Sequence, residues 1–331
     1  MVLKKINCWE YMKCGREPGG GNAEKLGLCP AATDTTLNGF NMGINSGRIC
    51  WLVAGTFCTE SVQGTSAEKK DSCKNCEFYK QVHAEEGMTY ISEGNINIFA
   101  LTHIGLVRKT NEDRYFIKKL DDGSILFAIA DGLGGEVEGD YAAEIMIGKL
   151  SGVQQIPEGN EQEYLTGLAK ETDIAITEKM ELDPDLNGMG STLVCVLLRD
   201  GVAYWVNVGD SRLYLFHDRK LFQKTEDQTL ARFLLEEGEI SKEQFSTHYS
   251  RNVMDQCIGC GYCEPETGSL EVIEKDLLIL TSDGLHGSVN YDTMTSILND
   301  SNDMETKIRA LVNTALEAGG KDNITIVAIE I

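Results

Sequence analysis

With 52 acidic residues against 30 basic ones, this 331-residue chain carries a formal charge of −22 at pH 7, which repels nucleic-acid phosphates and anionic lipid and draws divalent cations. The length exceeds that of one typical domain, so two domains of unequal size are expected. Apolar residues make up 42%, enough for a core, and no run reaches the roughly 18 apolar residues of a membrane span.

The start, Met1-Val2-Leu3-Lys4-Lys5-Ile6-Asn7, has no apolar targeting stretch, so a cytoplasmic location is the expectation. Residues 1–88 carry 10 basic and 10 acidic side chains, so the whole negative charge falls in the remainder. Cysteine divides the chain the same way. Cys8, Cys14, Cys29, Cys50, Cys58, Cys73 and Cys76 all lie in the first 76 residues, in a loose repeat. Cys8-Trp9 leads to Cys14 and Cys29, and Cys50-Trp51 leads to Cys58 and Cys73, among Gly39, Gly43 and Gly47. So glycine-rich a segment with few apolar runs needs staples. Cys73-Lys74-Asn75-Cys76 is half of a tetrahedral zinc site or of an iron–sulfur site, and structural Zn²⁺, an Fe–S or redox site, and disulfides all stay open. Cys8-Trp9-Glu10-Tyr11, Cys14-Gly15-Arg16, Cys29-Pro30, Arg48-Ile49-Cys50-Trp51 and Cys73-x-x-Cys76-Glu77-Phe78-Tyr79 together resemble the small two-CW module, which implies a Cys-rich domain over 1–85.

Glu85-Glu86-Gly87 reads as a linker into a second domain, 89–331. Ile96–Leu101 alternates as a strand, and Arg114–Lys118 as another. Asp122-Gly123 turns into the apolar run Ser124–Ala130, so these three strands are expected to form a meander. That run ends in Asp131-Gly132-Leu133-Gly134-Gly135. An acid at the end of a buried strand, followed by glycines, can grip a hard cation with a carboxylate and a bare carbonyl, although Asp-Gly after a strand is more often a plain turn. Helical periods follow at 140–153 and at 161–180, the second with Leu165, Leu168, Ile174 and Ile176 on one stripe. Gly190–Leu198 and Val202–Val208 form a hairpin over Asp200-Gly201, Gly209-Asp210-Ser211 closes it, and Arg212–Phe216 opens another strand. Residues 224–263 are expected to form a flap. Leu277–Thr281 ends in Ser282-Asp283-Gly284, helices are expected at 291–299 and 304–318, and Asp322-Asn323 precedes the strand Ile324–Ile329. Many hairpins with paired helices argue for stacked antiparallel sheets, not alternating βαβ units.

Strand boundaries thus offer Asp113, Asp131, Asp283 and Asp322 in order. Arg108-x-x-Asn111-Glu112-Asp113, Asp131-Gly132-Leu133-Gly134-Gly135, Gly190-Ser191-Thr192, Gly209-Asp210-Ser211-Arg212, Ser282-Asp283-Gly284 and Asp322-Asn323-Ile324-Thr325 resemble the PPM-type (type 2C) metal-dependent protein phosphatases across 89–331. The resemblance implies an α+β fold, a four-layer α-β-β-α sandwich of two antiparallel sheets flanked by helices, beside the small Cys-rich domain. It also implies two Mn²⁺ or Mg²⁺ ions bridged by Asp131, with the Gly132 carbonyl on the first and Asp283 and Asp322 on the second. Asp113 stands beside the second ion, Asp210 serves a third, weaker ion, and Glu112 is counted with the metal-site acids. Two ions ~3.5–4 Å apart lower the pKa of water and orient it on phosphorus, and Arg108 takes two phosphate oxygens. A phosphorylated Ser/Thr protein, opposed to a kinase, is the implied substrate.

Some residues depart from the pattern or stand aside from it. Leu133 occupies a position where some relatives carry His. Cys257, Cys260 and Cys263 have no counterpart in the resemblance, and a Gly-rich loop with incidental thiols outweighs a metal site there. His83, His103, His217 and His248 read as surface or packing residues, and His286 draws interest by lying three residues from Asp283. Trp205 and Cys195 read as core. A silent phosphoprotein-binding module and a phosphatase of small metabolites are the competing readings.

Overall fold

The computed structural model describes residues 6–35, 44–48, 50–58, 73, 76–85, 87–134, 138–183, 186–245, 248–251 and 253–331. Residues 1–5 and Gly39, Gly43, Ile49, Lys74, Asn75, Glu86 and Gly135, all named above, lie outside the described residues, as does the side chain of His83. The chain separates into two compact units, Met1–Met88 and Thr89–Ile331.

The first unit holds short helices α1 (Cys8–Met12), α2 (Ala23–Leu26), α3 (Pro30–Thr33) and α4 (Glu77–Glu85). The Glu10 carboxylate reaches back to the Asn7 N–H at 2.8 Å and starts α1. Pro30 opens α3, where its missing N–H costs nothing. Trp9, Cys29, Ala31 and Ala32 form a small core, and Trp51 meets Tyr79 edge to face at 4.8 Å. The expected linker is corrected at its first residue, because Glu85 ends α4.

In the second unit one sheet runs β1 (Met88–Glu93), β2 (Ile96–His103), β12 (Ile324–Glu330), β11 (Leu277–Thr281), β8 (Arg212–His217), β9 (Lys220–Gln223). The other runs β10 (Glu266–Glu271), β7 (Val202–Val208), β6 (Leu193–Arg199), β4 (Ile125–Leu133), β3 (Asp113–Lys119), with β5 (Gly190–Ser191) on the end of β4. Both are antiparallel, as hairpin connections require. Alternation along the central strands separates two cores. Ile98, Phe127, Ile129, Val196, Leu213, Leu278 and Val327 fill the space between the sheets. Leu126, Ala128, Ala130, Cys195 and Leu197 point the other way, against α5 (Glu138–Ser151) and α6 (Glu161–Leu182). The remaining helices are α7 (Leu230–Glu236), α8 (Lys242–Phe245), α9 (Asp283–His286), α10 (Tyr291–Leu298) and α11 (Met304–Glu317), the last packed on β2 and β12. This is the expected α+β arrangement of two antiparallel sheets flanked by helices. No helix among the described residues is long and apolar enough to cross a membrane.

Several local expectations are corrected. β2 and β3 lie in different sheets, so no meander joins them to β4: the loop after His103 crosses from one sheet to the other. Ile174 is 56% exposed and leaves the stripe that Leu165 and Ile176 bury. β4 runs on through Asp131 and Gly132 to Leu133, so Asp131-Gly132 is extended strand instead of a turn. The segment 224–263 contains α7, α8 and two isolated strand bridges. Trp205 and Cys195 are buried. Asp200-Gly201 turns the β6–β7 hairpin with both residues at positive φ, 49° and 77°, as a tight primed turn requires.

Phe127 is fully buried at the centre of the inter-sheet core. Phe127→Ala should cost about 3–5 kcal/mol of stability, measured by denaturant unfolding, and a cost under about 1 kcal/mol would contradict this packing.

Candidate metal centre

The acids named from the sequence come together because strand ends from both sheets meet at one edge of the sandwich. Asp113, first residue of β3, lies opposite Asp131 in the β3–β4 register. Side chains so paired stand about 4.5–5.5 Å apart at Cβ. Asp210 follows β7, Asp283 opens α9 just beyond β11, and Asp322 stands two residues before β12. Gly132 is buried at the end of β4, where a Cβ would overlap the Gly139 carbonyl of α5, so only glycine lets the strand close on that helix. Gly284 serves the same purpose beside the Asn323 carbonyl.

A buried network of hydrogen bonds aims these groups. The Ser282 hydroxyl donates to Asp113 Oδ2 at 2.7 Å and accepts from Thr325 N at 2.9 Å. Thr325 Oγ1 lies 2.7 Å from Thr102 Oγ1, which accepts from Asn111 Nδ2 at 2.8 Å. Thr192 Oγ1 accepts from Asp131 N at 3.0 Å, and Thr192 N donates to Asp131 O at 2.8 Å. The Asn323 amide accepts from Glu112 N at 2.8 Å and donates to the Ile104 and Thr110 carbonyls. Arg212 grips Asp227 with two parallel bonds, 2.7 and 2.6 Å, beside Asp210. Sequence reasoning gave no role to Ser282, Thr325, Thr192, Asn323 or Asp227; the first four stand within or beside the quoted motifs, which was the signal available.

Burial and neighbouring charge raise four of these acids. Burial raises Asp113 to about 6, and Asp322 adds to the rise while hydrogen bonds from Thr325 and Ser282 oppose it. Burial, then Asp227, raises Asp210 to about 6. Asp131 is pushed well up by burial and by Asp113, Asp283, Asp210 and Asp322; Asp283 is pushed well up by burial and by Asp210, Asp322 and Asp113. Arg108 brings a cation to the cleft, donating to Asp322 Oδ2 at 2.7 Å, and that bond together with Glu112 and Asp131 holds its guanidinium protonated. Asp113 Oδ1 is buried with no hydrogen-bond partner, an oxygen aimed at something other than a protein donor. Carboxylates and a bare carbonyl are the ligand set of a hard divalent cation, and these residues fit one. Among the described residues no three His, Cys, Asp or Glu side chains already close on one point as a ligand cage, so the acids share a cleft without being a preassembled coordination sphere.

The other sequence candidates make local contacts of their own. Cys8, Cys14, Cys29 and Cys50 pack in the small core of the first unit, Cys58 Sγ lies 3.8 Å from Thr56 Oγ1, and Cys76 N donates to Cys73 O at 2.8 Å. No group of ligating side chains is found there among the described residues. His103 accepts from Gly105 N, His217 meets Asp276, His248 meets Ser250, and His286 Nδ1 lies 3.2 Å from Thr281 Oγ1. Cys257 and Cys260 are joined by a disulfide, which corrects the reading of incidental thiols: the turn between them brings their side chains together.

Residues 107–323 match the family described as Protein phosphatase 2C. The chain is 34% identical over 235 residues to the serine/threonine phosphatase stp of Listeria monocytogenes, covering 69% of this chain and 93% of that protein. It is 34% identical over 228 residues to the serine/threonine protein phosphatase PstP of Mycobacterium tuberculosis, covering 69% of this chain and 43% of that protein, so it spans less than half of that relative. A solved structure of the catalytic domain of PstP in complex with two manganese ions superposes with a TM-score of 0.62 at 31% identity, covering 71% of this chain and 97% of that one. The chain belongs to the protein phosphatase 2C family.

With a chelator present, Asp113, Asp131, Asp210 and Asp283 hold protons in the folded chain at pH values where the unfolded chain has lost them. A raised folded-state carboxyl makes stability rise as pH falls, here from about 7 toward about 5. His286, kept neutral by burial and by Arg212, opposes this with a single proton. The melting temperature should therefore increase across that interval, and a steady decrease would show that the acids do not share one cleft.

Proposed function

We propose that this chain is a metal-dependent serine/threonine phosphoprotein phosphatase whose active centre is the acid cleft around Asp131. The observation that carries the reading is the convergence of strand-end acids on Asp131: Asp113 faces it in the β3–β4 register, and the charges of Asp113, Asp283, Asp210 and Asp322 all reach it and raise its carboxyl. Asp131 and the Gly132 carbonyl, with Asp283 and Asp322, would hold two Mn²⁺ or Mg²⁺ ions, and Asp113 and Asp210 stand ready for a further ligand or a third ion. When bound, such ions compensate the carboxylate charge and activate water for in-line attack on phosphorus. The manganese in the PstP structure supports this choice of ion.

The chain's own groups do the rest. Arg108, exposed at the rim and now bonded to Asp322, presents a planar fork to two phosphate oxygens. Ser282 and Thr192 fix Asp113 and the Asp131 backbone, so the acids need not reorient when substrate arrives. Leu133 offers no proton to the leaving alkoxide, so solvent supplies it. A phosphothreonine or phosphoserine protein, product of a kinase, is the substrate class. The first unit is read as a Cys-rich regulatory module, and metal analysis of the intact chain would test whether its cysteines hold Zn²⁺ or an Fe–S cluster.

Phosphate release from a phosphothreonine peptide should require Mn²⁺ or Mg²⁺ and stop with chelator. Asp131→Asn should lower kcat by on the order of 10²–10³. Arg108→Ala should raise KM by about tenfold, the loss of a charge-assisted bond to phosphate. Turnover by Asp131→Asn at the wild-type rate would refute the assignment.

A further inference from the structure

The segment 257–263 carries chemistry that phosphoryl transfer does not use. Cys257 is buried against Gly190, where a Cβ would stand 3.2 Å from the Cys257 sulfur. Its disulfide partner Cys260 is exposed, followed by exposed Gly261 and by Tyr262 at 66%. Cys263 turns back inside, 6% exposed, in the core with Ile176 and Ile258. Burial and then Asp173 push its thiol up to about 11, so it stays protonated and is a poor nucleophile.

Two attachments hold the loop. One oxygen of Asp173, on α6, accepts from Gly259 N at 2.6 Å and Gly261 N at 3.2 Å, pinning the turn inside the disulfide. On the other side, Ser191 N donates to Ile258 O at 2.9 Å and Ile258 N donates to Ser191 O at 2.8 Å. Ser191 lies opposite Gly132 in the β4–β5 pairing, and the next residue, Thr192, bonds both backbone groups of Asp131. A ladder Ile258–Ser191–Gly132 therefore leads from the residue beside Cys257 to the residue beside Asp131.

We propose that Cys257–Cys260 is a redox modification site, a disulfide that exchanges with a dithiol and whose opening loosens the ladder behind Gly132 and Asp131. One thiolate of the dithiol attacks the exposed Cys260 sulfur. The S–S bond breaks, and Cys257 leaves as a thiolate that takes up a proton. The second thiol of the reductant, deprotonated, attacks its own sulfur of the mixed disulfide, closes a ring and releases Cys260, which is protonated in turn. Two electrons and two protons pass from the dithiol to the protein, and a disulfide of the same class drives the reverse reaction. Exposure sets the order: the accessible sulfur is attacked and the buried one leaves.

The full chain would be compared in reduced and in oxidised dithiothreitol. Alkylation and mass measurement of the peptide containing 257–263 report the bridge, and hydrogen exchange at Ser191 and Ile258 reports the ladder. Reduction should expose two alkylatable thiols and speed exchange at these amides by about tenfold, a local opening. Cys260→Ser should exchange fast with or without reductant, and Cys263→Ala should respond like the wild type. Three alkylated cysteines in the 257–263 peptide of the oxidised chain, or equal exchange in both states, would overturn the proposal, as would a reductant effect that persists in Cys260→Ser and so belongs to other cysteines. These readouts need no turnover, so they stand or fall separately from the phosphatase reading; loss of Mn²⁺-dependent turnover on reduction would add the functional consequence.

Discussion

Mutual repulsion among carboxylates is the constraint on which the second unit depends. Asp113 and Asp131 face each other across β3 and β4, while Asp283 and Asp322 arrive from the neighbouring sheet, and the gathered charge adds to burial in raising Asp113, Asp131 and Asp283. Charges so gathered are costly unless protons or cations neutralise them. The fold can hold them there because β4, β11 and β12, the strands next to Asp131, Asp283 and Asp322, are buried along nearly their whole length, with Phe127, Ile129, Val327 and Leu280 between the sheets and Leu126, Ala128 and Ala130 beneath α5. Stability is concentrated in the core and charge repulsion at the edge, a common division at functional sites.

The polar network around the acids converts that edge into a defined geometry. Thr102, Thr325 and Ser282 form a hydrogen-bonded chain ending on Asp113, and Asn323 fastens the Ile104–Glu112 loop to the start of β12. Arg108 is carried on that same loop, so the group suited to phosphate and the acids suited to cations share one set of supports. Arg212 and Asp227 brace the Asp210 end in the same way. The loop around Cys257 and Cys260 joins this frame through the pairing of Ile258 with Ser191 on β5, which gives it a direct line to β4.

Much of this was legible in the sequence because it is local. Asp131 ends a run of apolar residues that can only be a buried strand, and Asp200-Gly201 announces its hairpin. The motif-bearing acids could be placed in one cleft by resemblance, since each sits at a strand boundary. What escaped reading depends on long-range pairing. Nothing local says that Ile96–His103 pairs with the last strand of the chain, over two hundred residues away, instead of with its neighbour β3. Ile174 fits a helical stripe by spacing, yet the helix is rotated so that Thr172, Asp173 and Ile176 face inward. Asp173 carries no signal in the sequence, yet its carboxylate accepts from Gly259 N and Gly261 N and holds the disulfide turn. Hydroxyls such as Ser282 and Thr192 carry no pattern of their own, and only the fold shows which carboxylate or amide they meet.

The central claim is that the acid cleft is a binding site for divalent cations. Calorimetric titration of the intact chain with Mn²⁺, alongside Asp131→Asn, tests it most directly. The account predicts saturable binding of at least two ions by the native chain and the loss of at least one in the variant. Identical binding by both proteins, or none by either, would contradict it.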